Sequence, residues 1–83
     1  MLGLRCGECL VELIDELKNV QVFHGQAFWS IVFCAMDAMG LDSEEKNDVF
    51  KEFRHKDVAS RQKLLLALTN MLGEMLERLE VES

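Results

Sequence analysis

The chain has 83 residues, 49% of them hydrophobic and 29% charged, with a formal net charge of −6. So short a chain builds one domain over residues 1–83, and its acidic balance excludes a uniformly basic surface of the kind that nucleic acids and anionic membranes attract. The absence of Pro, the scarcity of β-branched residues and the abundance of Leu, Met, Glu and Lys favour helix over strand and globular order over disorder.

In chain order, Leu2–Val20 reads as the first helix. Leu2, Cys6, Cys9, Leu10, Leu13, Ile14, Leu17 and Val20 share one stripe at i, i+3, i+4 and i+7 spacing, with Glu8, Glu12, Asp15 and Glu16 off it. Gly3 and Gly7 weaken its first turns and move the expected start towards Cys6. Asn19–Gly25 is readable either as a loop or as a continuation of helix.

The second helix, from Gly25 or Gln26 to Met39, is apolar around almost its whole circumference, leaving only Gln26, Ser30 and Asp37 as a polar edge. A helix of that kind is buried, so the other helices are expected to wrap it. Gly40 suits the position after its end, where the left-handed conformation costs glycine little. Asp42 or Ser43 then caps a short third helix ending near His55, with Val49, Phe50 and Phe53 as its apolar face and Asp42-x-x-Glu45 as an approximate capping box. Asp57 caps the last helix, Val58 to about Glu80, in which Leu65, Leu68, Leu72, Met75 and Leu79 alternate at 3-4 spacing like a helical seam.

Few residue patterns carry chemistry. Cys6-Gly7-Glu8-Cys9 places two thiols at a helix start, where the dipole lowers a thiol pKa and permits redox work, or where they supply half of a tetrahedral zinc site. Both also lie on the Leu10–Leu17 stripe, where cysteine packs as a small hydrophobe. Glu52-x-x-His55 has the spacing of a di-iron ligand pair but points away from the Val49–Phe53 face. Lys51, Arg54, Lys56, Arg61 and Lys63 concentrate positive charge around two helices, as helix–turn–helix DNA readers do, although solvated faces and patches for acidic proteins look the same. Arg61 stands apart because it projects onto the Leu65/Leu68 stripe; it is expected to snorkel there or to meet a carboxylate from another helix or chain.

Three cysteines, an odd number, do not look like a secreted disulfide framework, and no targeting segment or bilayer-length apolar run is visible. The expectation is a soluble, cytoplasmic protein. Its fold class is all-α: a compact antiparallel helical bundle of three main helices plus one short helix, expected to be dimeric. The expected function is non-enzymatic and needs no cofactor: a small regulatory or adaptor module that binds another protein and forms a homodimer. Leu68, Leu72, Met75 and Leu79, with Arg61 beside them, are the expected subunit seam, and Phe28 and Trp29 the alternative patch. Two further readings stand beside it, a thiol redox or metal-binding protein centred on Cys6 and Cys9, and a nucleic-acid-binding regulator using Lys51–Lys63.

Overall fold

The computed structural model describes residues 7–82, and side chains over 9–81. Four helices account for most of that span, with no strand among the described residues: α1 (Gly7–Lys18), α2 (Gly25–Ala38), α3 (Ser43–Phe53) and α4 (Val58–Glu82). The expected start of the first helix between Leu2 and Cys6 lies outside the described residues. The radius of gyration is 12.8 Å, close to the roughly 12 Å of a compact chain of this length.

α1 stops two residues short of Val20, and Asn19 supplies the reason. Its backbone N–H reaches the carbonyls of Asp15 and Glu16 at 3.2 Å each, and its side-chain Nδ2 donates to Asp15 O at 2.9 Å. Carbonyls at the helix end are thereby satisfied, and the chain leaves helical geometry over 20–23. The ambiguous segment is therefore a connection. His24 is extended (φ −156°, ψ 170°) and precedes α2 without a side-chain cap, and Gly25 turns the chain at φ 84°, where a side chain would be strained.

α2 packs against each of the other three helices, but they do not enclose it on every side. Phe28, Val32, Ala35 and Met36 are buried, at the i, i+4, i+7 and i+8 positions of one face. Leu10 and Leu17 from α1 and Leu65, Leu68 and Leu72 from α4 complete the core. Burial of each large aliphatic or aromatic side chain contributes about 1.5–3 kcal/mol, so these three helices carry most of the hydrophobic stabilisation. The polar edge of α2 is wider than its sequence indicates: Ala27 and Cys34 are exposed alongside Ser30 and Asp37.

The remaining elements follow from their ends. Gly40, at φ 86°, follows the C-cap Met39, and its N–H bonds to Asp37 O at 3.0 Å. Asp42 is the cap of α3, and the capping box is complete: Glu45 N donates to Asp42 Oδ1 at 2.8 Å, and Asp42 N donates to Glu45 Oε1 at 2.9 Å. α3 contributes no buried residue and packs chiefly on α2. Asp57 Oδ1 accepts from Ser60 N at 3.0 Å and opens α4, as its position predicted.

This packing corrects three expectations. Leu68 and Leu72 are 4% and 0% exposed inside the chain's own core, so their 3-4 spacing records contact with α1 and α2 rather than an open seam. Phe28, at 1% exposure, is likewise core and offers no surface patch. Cys9 is exposed, so the small-hydrophobe account fails for it, whereas Cys6 lies outside the described residues.

Candidate functional site

Arg61, near the start of α4, makes three side-chain hydrogen bonds to main-chain carbonyls. Its Nε donates to Phe53 O at 3.1 Å, Nη2 to Arg54 O at 2.8 Å, and Nη1 to Phe23 O at 2.9 Å. Of the two expectations for it, snorkelling or a carboxylate partner, the described contacts show neither: its donors meet three main-chain carbonyls. The physical reason lies in α3: the last carbonyls of a helix lack intrahelical donors and carry the negative end of its dipole, and a guanidinium satisfies both needs. One face of this guanidinium borders the aromatic rings, with Cζ 6.0 Å from the Phe28 centroid and 5.6 Å from that of Trp29.

Those rings continue as a chain of edge-to-face contacts. Phe23 meets Phe28 at 6.1 Å, Phe28 meets Trp29 at 4.9 Å, Trp29 meets Phe50 at 4.8 Å, and Phe50 meets Phe33 at 6.1 Å. Such geometry sets the positive ring edge against the negative ring face and adds about 0.5–1.5 kcal/mol per pair beyond burial. Trp29, expected as part of an open patch, is half-buried because the Phe50 ring of α3 packs against it. It is therefore a packing residue between α2 and α3 in this arrangement.

The remaining basic residues are dispersed in role. Arg54 extends over the Phe50 ring, with Cζ 5.7 Å from the centroid, and Lys56 lies 3.8 Å from Glu52 within an exposed i, i+4 pair. Lys51 and Lys63 are exposed, and Lys63 adds a small electrostatic pull on Asp57. The Asp57 carboxyl is held below its ordinary value mainly by hydrogen bonds from the Ser60 side chain and backbone that favour its charged form. With Arg61 turned inward, four of the five clustered cations remain at the surface. Among the described residues, no three His, Cys, Asp or Glu side chains come together as a metal site. No described helix is long and apolar enough to cross a membrane.

The surface that sequence reasoning missed surrounds the α1–α2 connection. Two shallow clefts flank it, both bordered by Val20. One runs between α1 and α2 past Val22, Ala27 and Ile31; the other runs between α1 and α4 past Phe23, Leu66 and Thr69. Apolar atoms dominate both, and Val22 and Leu66 are 56% and 61% exposed. The sequence did hold a signal, because Val20-Gln21-Val22-Phe23 is an apolar-rich run inside a segment whose backbone is not helical. Of the expected seam, Met75 is half-buried and Leu79 is 39% exposed, with exposed Met71 one helical turn before Met75.

Compared with protein families, curated proteins and solved structures, the chain matches none of them.

Proposed function

We propose that this chain is a small acidic protein-interaction module, regulatory or adaptor in kind, that docks another protein against the apolar surface around its α1–α2 connection. The observation that carries this reading is the continuity of that surface. Val20 joins the two clefts, and Val22 and Leu66 stand more than half exposed beside them. Apolar side chains grouped in this way gain free energy when a partner removes them from water, at about 25 cal/mol per Å². The net charge of −6 favours a partner with a basic rim, for which it raises the association rate more than the final affinity.

The proposal includes an antiparallel bundle and a homodimer. Opposed directions of α1 and α4 are supported by their shared clefts: Lys18 borders both, whereas Leu17 borders Gln62–Asn70 and Ile14, one turn earlier, borders Thr69–Glu77. Met71 and Met75, on one face of α4, are the surface proposed for self-association, since thioether side chains adapt to varied partners.

Affinity capture from host lysate, with nuclease treatment, tests the reading beside a Val22→Glu/Leu66→Glu variant. The expected result is a stoichiometric protein that survives nuclease and is lost from the variant, whose circular dichroism and melting point stay close to the parent's. Equal capture by parent and variant would overturn the proposed surface. Capture that disappears with nuclease would replace it with the Lys51–Lys63 face. Sedimentation of a Met71→Glu/Met75→Glu variant checks the dimer, and an unchanged mass excludes that seam.

A further inference from the structure

α3 differs from its neighbours in how it is held. It has no buried residue; half-buried Val49 packs against the core, and its other attachments lie at its aromatic face and its two ends. Phe50 sets its ring against Trp29 (4.8 Å, 77°) and Phe33 (6.1 Å, 69°). Lys46 Nζ reaches Asp37 Oδ1 at 3.2 Å near its first turns. Arg61 takes the Phe53 and Arg54 carbonyls at its end. Gly40, in the left-handed region, precedes it, and the non-helical residues 54–57 follow it. Its capping box and internal hydrogen bonds are local, so they do not depend on its being docked.

We infer that α3 is a hinged cover over the Trp29 face of α2, and that Arg61 couples its docking to the conformation of the α1–α2 connection. The first half follows from the distribution of burial. Undocking α3 uncovers half-buried rings and leaves Leu10, Leu17, Phe28, Val32, Leu68 and Leu72 packed among α1, α2 and α4. Segments with few buried contacts open at a lower free energy than the whole molecule.

The second half follows from the shape of the guanidinium. It is planar, and its donors point in fixed directions. One such plane holds Phe53 O at the last residue of α3, Arg54 O at its C-cap and Phe23 O from the connection. Departure of α3 removes two of the three acceptors, so the plane reorients towards water and the bond to Phe23 O loses its alignment. The connection then relaxes. Arg61 acts here as a positioning residue, and the inference stands whether or not the connection is a docking surface.

Amide exchange and amide chemical shifts, read by nuclear magnetic resonance, test both halves on the full chain. In the parent protein, amides of residues 46–53 are expected to exchange at least about tenfold faster than those of Leu68 and Leu72, because local opening outruns global unfolding. Phe50→Ala should accelerate the α3 amides further, leave the Leu68 and Leu72 rates unchanged, and shift the emission of Trp29, the sole tryptophan, towards that of a water-exposed indole. It should also move the His24 amide resonance, because that N–H belongs to the peptide group whose oxygen Arg61 holds. Arg61→Lys retains the charge but not the fork, and should move the same resonance and accelerate the same α3 amides. Equal exchange rates for α3 and the core in the parent would overturn the hinged cover. An unmoved His24 resonance in Phe50→Ala would overturn the coupling.

Discussion

Two parts of this molecule are helical for different reasons. In α1, α2 and α4, a stripe of large apolar side chains meets two other stripes, and among the described residues nine buried ones from those helices form the core. In α3 no residue is buried, and order comes from the ends: a complete capping box, acidic side chains in the first turn, Lys51 in the last, and Arg61 closing the final carbonyls. Burial is cooperative, because each side chain removed from the core leaves a void for its neighbours. Caps act on one helix end and reach little further. The contrast teaches that a helix of similar length can belong to the cooperative unit or merely lean on it, and burial distinguishes the two cases better than propensity does.

Substitutions can break that contrast in order of size. Leu72→Ala should have the largest effect. Leu72 is fully buried between helices, so the change should lower global stability by about 2–5 kcal/mol and the melting temperature by more than about 10 °C, with the core amides losing more exchange protection than those of α3. Calorimetry or thermal circular dichroism measures it, and a shift of only a degree or two would place Leu72 outside the cooperative core. Asp42→Ala should act on α3 alone. Loss of the cap costs about 1 kcal/mol, read as faster exchange across residues 46–53, and the melting temperature should hardly move.

The smallest effect concerns pH. Asp57 has a depressed folded-state pKa, so its cap stabilises α4 most at pH above the unfolded-chain value of about 4. That contribution is lost as pH falls from there through the lower folded value. Asp57→Asn should therefore flatten part of the acid limb of stability against pH and leave the neutral side nearly unchanged. An identical acid limb in both proteins would mean that the Ser60 hydrogen bonds do not favour the charged carboxylate.

Much of the fold is legible in the sequence. The 3.6-residue spacing of Leu10, Leu13 and Leu17, the apolar circumference of α2, Gly40 and the caps at Asp42 and Asp57 are local signals, and each marks the element found there. The candidate surface was far less legible. Val20 and Val22 carry no periodicity, because a connection has no repeating face to display. Arg61 was visible as an anomaly on an apolar stripe, but its partners are carbonyl oxygens, which every residue possesses and no side-chain pattern announces.

Leu68 and Leu72 show the same limit from the opposite direction. Their spacing fixes which face of α4 is apolar, yet a stripe looks alike whether it meets a helix of its own chain or one of a second copy. Propensity, capping and periodicity act within a few residues along the chain, so they mark the four described helices, the caps at Asp42 and Asp57 and the apolar stripes of α1 and α4. Only the tertiary structure decided what each face meets: Leu72 against its own core, Trp29 beneath Phe50, and one guanidinium across three carbonyls. Those contacts join Phe23, Phe53, Arg54 and Arg61, which are close in space through the path of the whole chain, and local rules carry no information about that path.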